Sequence, residues 1–346
     1  MRRTLFRLCL LMPLGAFCMV SISGREDPGL DKAMKEGMEV LYKENFSQAI
    51  RLFSEIRDQH PNHPVGYFLV AAALDAKMYF YYSNSLEGEF MKNCEKAVEI
   101  GEELLQKEPN DKWLLFFVGG AYGYMGTFQA RYKNYISAFR NGWTGVSLLK
   151  QIYAMDTSFV DILLGLGTYH YWSSRLSKAL WWMPGLRDER ETGIRQLQKC
   201  MKEGFYTRMP AGSNLLSIFI EEERYEEAIQ ICGQYLARYP GNRYFLLGLA
   251  EAKYLKGDLA EAERLFQQVL DMCDSEEFNN NVNSLRCHSR LAKIYEKRRV
   301  WYKAAAECRR AKQYRFNETD RILAKEYLED VDKTLSRVIK NYPLER

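Results

Sequence analysis

Small residues recur at fixed intervals within the hydrophobic pattern of this chain. One series recurs every 48 residues: Ala49, Ala97, Gly145 and Gly193. A second series has the same interval: Ala71, Gly119 and Gly167. Further along, the equivalent residues follow at steps of 35, 34 and 42: Ala228, Ala262 and Ala304. Periods of this size predict a stack of copied helical units.

The 34-residue step shows which kind of unit is repeated. Small residues stand where two short antiparallel helices would cross, and large apolar residues stand where neighbouring units would interlock: Ala250, Gly257, Leu259, Ala262, Phe266 and Val269. The same frame fits three further units, around Ala49, Ala228 and Ala304. This pattern resembles the tetratricopeptide repeat family. The resemblance implies an all-α fold, a right-handed α-solenoid of antiparallel helix pairs with about seven hairpins and a C-terminal capping helix.

Three units in the middle of the chain depart from the family pattern in a regular way. The two crossing residues of a standard unit, such as Ala250 and Ala262, are 12 apart, whereas Gly119 and Gly145 are 26 apart. The additional residues are enough to lengthen each helix by about two turns, or roughly 10 Å, so we predict taller hairpins. The alternative is a loop or a separate short helix. Turn signals lie near the predicted tips: Ser83–Gly88, Asn134 and Met183–Gly185.

These patterns divide the chain into successive segments that form one continuous body, because repeats bury their faces on their neighbours. The predicted segments are a secretory signal peptide (1–24), a first repeat (25–63), three elongated 48-residue hairpins (64–207), two standard repeats (208–276), an Asn-rich loop (277–284), a last repeat (285–318), and a capping helix with a tail (319–346). We expect a kink at the Asn-rich loop.

The N-terminus predicts export. Three arginines precede an uncharged run, Leu8–Val20, which is followed by small residues, Ser21 to Gly24, as in a secretory signal peptide. Cleavage there would release the protein into the periplasm or the extracellular space, and an uncleaved segment would act as a membrane tether. Removing it lowers the net charge from +4 to about +1. Such a balance argues against nucleic-acid binding, which needs a concentrated basic surface.

Motifs for catalysis, metals or cofactors are not found in the sequence. It has no phosphate-binding glycine loop, no His-Glu-x-x-His pair and no Gly-x-Ser-x-Gly elbow. His170 is interpreted as a core or groove residue. The cysteines are interpreted as small apolar core residues, although Cys273 and Cys287 flank the Asn-rich loop and could pair after export. We therefore predict a protein that is not an enzyme and that uses no cofactor.

The strongest functional signal is a set of large apolar residues on the first helices of the units, which line the inner surface in this repeat family. The family frame places six partner-binding candidates there: Phe68, Phe116, Tyr124, Leu164, Tyr171 and Trp172. Two more stand at the predicted tip of the third tall hairpin, where exposed tryptophans would suit a partner or a membrane interface: Trp181 and Trp182. The alternative is that the tall helices close on one another and bury these side chains as core.

Two functional hypotheses follow. The first is an exported scaffold whose partly apolar groove holds an extended or helical segment of another envelope protein. The second is a carrier of an apolar small molecule or lipid, which would need a closed pocket among the tall hairpins.

Overall fold

A computed structural model describes residues 21–22, 25–26, 28–179, 188–274 and 281–341. The predicted signal peptide lies outside the described residues apart from Ser21–Ile22, and so do Trp181, Trp182 and residues 277–280 of the predicted Asn-rich loop; residues 281–284 begin a helix. Ser21–Ile22 (β1) pairs antiparallel with Arg25–Glu26 (β2) in a two-residue ladder.

Seven consecutive helix pairs and one terminal helix make up the rest of the described chain. The pairs are α1 Pro28–Tyr42 with α2 Phe46–Gln59, α3 Pro64–Tyr81 with α4 Glu87–Leu105, α5 Lys112–Arg131 with α6 Tyr135–Met155, α7 Leu163–Ala179 with α8 Arg190–Glu203, α9 Arg208–Glu221 with α10 Tyr225–Arg238, α11 Arg243–Lys256 with α12 Leu259–Asp274, and α13 Asn281–Lys297 with α14 Trp301–Ala311. The terminal helix is α15 Glu318–Asn341, and a short 3-10 turn, Val160–Ile162, precedes α7. The predicted all-α class of paired helices is confirmed.

The turns inside the pairs share one geometry. In six of them, one residue adopts a left-handed conformation, with φ between 50° and 97°: Glu44, Tyr82, Lys133, Glu223, Gly257 and Arg299. The next N–H donates to the carbonyl five residues back, as from Asp258 N to Lys253 O at 2.9 Å, which closes the first helix as a Schellman motif. Only one of the six residues is a glycine, so most of these turns lack the usual sequence signal.

Glycine pairs bring the helices of two middle hairpins into backbone contact. A Cβ added to Gly145 would lie 2.6 Å from Gly119 O, and one added to Gly193 would lie 2.5 Å from Gly167 O. Helices α3 to α6 contain 18 to 21 residues each, whereas α9, α10 and α11 contain 14 each. The small residues at these crossings are therefore required by the closeness of the two backbones.

The contacts group into two units. Unit 1 comprises residues 1–77 and 86–218, and unit 2 comprises residues 78–85 and 219–346. The boundaries fall inside α3, just before α4 and inside α9. The first half of α9 contacts α7, since Thr168 Oγ1 donates to Asn214 Oδ1 at 3.2 Å, whereas Phe219 in its second half contacts Arg224.

Candidate functional site

The six described partner-binding candidates are all buried in the structure, each at most 4% exposed: Phe68, Phe116, Tyr124, Leu164, Tyr171 and Trp172. Phe68 packs with its ring centroid 6.1 Å from that of Phe116 and 5.6 Å from that of Tyr124. Tyr171 and Trp172 meet edge to face at 5.0 Å. These side chains form core, which is the second of the two interpretations that the sequence left open.

Their burial has a simple physical cause. The glycine crossings draw α5 and α6 together, and Gly120 leaves room for the Phe68 ring, whose Cε2 lies 2.6 Å from the position a Cβ would take. Burying each large apolar side chain stabilises the fold by roughly 1.5–3 kcal/mol, so the tall hairpins fill their own interior. Phe68, Phe116 and Tyr124 fill the space between α3 and α5. The other two candidates, Trp181 and Trp182, lie outside the described residues.

An ion pair that the sequence analysis did not identify lies in the same interior. Arg131 of α5 donates to the Asp75 carboxylate of α3, and both side chains are buried. Burial lowers the pKa of Arg131 to about 10. The Arg131 guanidinium also lies over the Phe128 ring, 5.4 Å from its centroid. A charged pair in this core ties α3 to α5 and is part of the packing of unit 1.

Asp161 also has a structural role. Its buried carboxylate accepts the N–H groups of Tyr206 at 3.0 Å and Thr207 at 2.9 Å, and the Thr207 hydroxyl at 2.6 Å. These bonds fix the 3-10 turn before α7 to the loop that leads into α9. A buried carboxylate that accepts hydrogen bonds from this many donors is held in one position.

In unit 2, the first helices carry a network of charged side chains. Glu251 of α11 accepts from Arg290 Nε of α13 at 2.9 and 3.1 Å, and Arg290 Nη1 donates to Asp330 of α15 at 3.2 Å. Lys293 Nζ also donates to Asp330. Burial raises the pKa of Glu251, but the charges of Arg290 and Arg286 outweigh it, so the pKa falls to about 2. The network joins α11, α13 and the capping helix.

A segment from the tip of the hairpin α3–α4 packs on these helices. Residues 78–85 belong to unit 2. Asn283 Nδ2 of α13 donates to the main-chain carbonyl of Phe80 at 2.8 Å, and the Arg243 guanidinium of α11 lies 4.3 Å from the centroid of the Phe80 ring. The ring centroids of Tyr79 and Tyr244 are 6.3 Å apart. The first-helix face of unit 2 therefore holds an aromatic polypeptide segment through a main-chain hydrogen bond and through ring contacts. We call this surface the segment-binding face.

The lowered pKa of Glu251 leads to a prediction for stability at acid pH. The folded pKa of about 2 lies below the unfolded value of 4.5, so this contribution is complete above pH 4.5 and is lost as the pH falls towards 2. The loss is at most about 1.4 kcal/mol per pH unit for one proton. Urea unfolding between pH 6 and 2 should show that the free energy of unfolding falls less steeply with decreasing pH for Glu251→Gln than for the wild type. Glu329→Gln, in an exposed ion pair with Lys333, is the control, and an equal decline in all three proteins would contradict the assignment.

Comparison with known families identifies the repeats. The model described as "Tetratricopeptide repeat" matches residues 219–272, which span the end of α9, the whole of α10 and α11, and most of α12. This match coincides with the helix pairs and small-residue crossings described above. Residues 219–272 are tetratricopeptide repeats (TPRs). Stacked helix pairs of this kind present extended surfaces to which other proteins or peptides can bind.

Solved structures that resemble this chain are distant in sequence. The human IFIT1 dimer with PPP-AAAA is 12% identical with a TM-score of 0.57, over 91% of this chain and 65% of that chain. A tetratricopeptide repeat protein from Parabacteroides merdae ATCC 43184 is 13% identical with a TM-score of 0.41, over 88% of this chain and 100% of that chain. These likenesses concern the fold. No curated protein matches the chain.

Among the described residues, no three His, Cys, Asp or Glu side chains are grouped so that they could hold a metal ion, and no helix has the length and apolar character needed to span a bilayer. The six described cysteines are buried, Cys273 and Cys287 among them. An open depression of about 800 Å³ beside α12 is lined by mostly polar side chains, among them Glu263, Arg264 and Gln267.

Proposed function

We propose that this protein is an exported, non-enzymatic scaffold that holds a segment of another envelope protein on the segment-binding face of unit 2. The partner segment carries aromatic side chains and binds through its main chain and its rings. This places the partner on the C-terminal repeats and not among the aromatic residues of the tall hairpins, since Phe68, Tyr171 and Trp172 are buried.

The observation that carries the proposal is the packing of residues 78–85. The amide of Asn283 bonds a main-chain carbonyl, a contact that any polypeptide can make, and a hydrogen bond of this kind contributes about 1 kcal/mol. The Arg243 guanidinium over an aromatic ring adds a preference for aromatic residues, worth about 0.5–2 kcal/mol. A face that holds this segment of its own chain has the chemistry to hold a similar segment of a partner.

Support for export comes from the N-terminal sequence. Arg2, Arg3 and Arg7 precede the apolar run Leu8–Val20, and the small residues after it suit cleavage near Ser23 or Gly24. We expect the protein recovered from the source cells to lack this segment. Intact mass measurement of the secreted or periplasmic protein checks the expectation, and a full-length mass in the cytoplasmic fraction would contradict export.

Site-specific photo-crosslinking tests the binding face. We replace Tyr244 by the photoreactive p-benzoylphenylalanine, and we place the same group at Tyr302 of α14, which is exposed but lies on a second helix, as a control. In native envelopes, position 244 should give a covalent adduct with another polypeptide, and position 302 should not. Combining the probe with Tyr79→Ser/Phe80→Ser should raise the yield, because the internal segment then competes less.

Equal yields of adduct at positions 244 and 302 would contradict a partner site on this face. So would the absence of any adduct at position 244, both with and without the Tyr79→Ser/Phe80→Ser substitutions. Native mass spectrometry of the purified protein distinguishes the carrier hypothesis from the scaffold hypothesis, because a retained small molecule would increase the measured mass.

A further inference from the structure

The first half of α6 exposes a group of large apolar side chains that the proposed scaffold function does not use. Tyr135 is 56% exposed, Ile136 87%, Phe139 74% and Trp143 53%. The rings of Phe139 and Trp143 are stacked, with centroids 6.4 Å apart and planes at 22°. At about 100° per residue, the four side chains lie within an arc of roughly 100° on one side of the helix. A contiguous apolar patch of this kind marks an interaction site, unlike a single exposed side chain.

The opposite side of α6 makes the packing contacts of the hairpin. Asn141, Gly145, Leu149 and Ile152 are buried, and Gly145 faces Gly119 of α5. In the second half of α6, Lys150 Nζ lies over the Tyr169 ring at 5.0 Å. Ile136, Phe139 and Trp143 are not among the buried residues of the helix.

The charged side chains in the stretch of sequence that contains the patch are all basic. Between Asp111 and Asp156 the sequence contains no acidic residue and five basic ones: Lys112, Arg131, Lys133, Arg140 and Lys150. Arg131 is neutralised by Asp75 in the core, and Lys112 pairs with Asp156. The side chain of Arg140, next to Phe139, is exposed. Arg140 thus places an exposed cation beside the apolar patch, and residues 112–155 contribute no carboxylate.

We propose that this face of α6 docks on an anionic lipid bilayer. Aromatic rings and an aliphatic side chain enter the headgroup boundary, where tryptophan and tyrosine are favoured, while the neighbouring basic side chains meet lipid phosphates. The patch lies directly after the turn at residues 132–134, at one end of the hairpin α5–α6. An end of a hairpin can enter a flat surface without any rearrangement of the core. The aromatic rings, the exposed Arg140 and the absence of acidic residues from positions 112–155 fit a negatively charged lipid surface.

Vesicle flotation with the full chain tests the proposal. The probes are vesicles of phosphatidylcholine with 30% phosphatidylglycerol, a proportion of roughly one anionic lipid in three, and vesicles of phosphatidylcholine alone. The wild type should float with the anionic vesicles, and added salt should weaken this binding. Phe139→Ser/Trp143→Ser should lower the partition coefficient about tenfold or more, since two apolar side chains no longer leave water. Arg140→Glu should lower it roughly tenfold on anionic vesicles and little on neutral ones.

The matched control removes exposed apolar side chains elsewhere. Tyr302→Ser/Ile339→Ser alters two such residues of unit 2 and should float like the wild type. Thermal unfolding of each variant shows that it is folded. Failure of the wild type to float with anionic vesicles would overturn the proposal. So would a loss of flotation in Tyr302→Ser/Ile339→Ser as large as that in Phe139→Ser/Trp143→Ser. Unchanged flotation of the Phe139→Ser/Trp143→Ser variant would also overturn it. So would the finding that the wild type binds another polypeptide through Phe139 and Trp143, while neither the wild type nor the variant binds vesicles.

Discussion

Replacing Gly193 by alanine is expected to lower the free energy of unfolding of unit 1 by about 3 kcal/mol, at the upper end of overpacking effects. The added Cβ would lie 2.5 Å from Gly167 O and 2.8 Å from Tyr171 N. Both atoms are main-chain, so the clash cannot be relieved by turning a side chain, and α7 and α8 must move apart. Urea unfolding followed by circular dichroism measures the change.

Gly142 of α6 provides the control, because a Cβ there would meet nothing within 4 Å. Gly142→Ala removes backbone freedom from the unfolded chain and should stabilise the protein by about 0.5–1 kcal/mol. The two substitutions add the same methyl group to a helical glycine and should have opposite signs. A Gly193→Ala protein as stable as the wild type would show that α7 and α8 are not in backbone contact.

Removing the carboxylate of Asp75 is also expected to lower the free energy of unfolding by a large amount. Asp75→Ala leaves the Arg131 guanidinium buried without its counter-charge, and breaking a buried pair in this way costs about 3–5 kcal/mol. Removing both charges in Asp75→Leu/Arg131→Met should recover most of that loss, because no charge then remains unpaired. Urea unfolding of Asp75→Leu, Arg131→Met and the double variant gives the coupling energy between the two side chains.

The exposed pair of Arg57 and Asp58 is the control for this experiment. Asp58 is 68% exposed in its side chain, so Asp58→Ala should change stability by less than about 1 kcal/mol. If Asp75→Ala were as mild as Asp58→Ala, or if the double variant were no better than Asp75→Ala, the pair would not hold the core of unit 1 together.

Much of the fold follows from residue size and spacing. Gly119 and Gly145, which a 26-residue spacing predicted to cross, do approach through their backbones, and so do Gly167 and Gly193. Asn134, the weakest of the turn signals, caps α6 by accepting from Ser137 N at 3.4 Å. Spacing can predict these features because a crossing and its turn depend on residues close together in sequence.

The candidate site was less predictable, because helical periodicity shows which side of a helix is apolar but not what covers it. Phe68 and Tyr171 have the spacing of groove residues, and their burial depends on how closely the glycine crossings draw the helices together. The contact of Asn283 with Phe80 joins residues 203 apart, and no local pattern reports it. The apolar patch on α6 did leave a signal: large apolar residues outside the core frame, Ile136, Phe139 and Trp143, in a stretch without acids.

The most direct test of the segment-binding face uses a peptide of residues 78–88 and the full chain carrying Tyr79→Ser/Phe80→Ser. Fluorescence anisotropy should show saturable binding of the labelled peptide, because the weakened internal segment leaves the face open. Asn283→Ala in that background should weaken binding about tenfold through loss of its main-chain hydrogen bond. Asn281→Ala, which removes a hydrogen bond from the same turn of α13 to Arg315 O, should not. Absence of saturable binding, or equal affinity for the Asn283→Ala and Asn281→Ala proteins, would contradict the account.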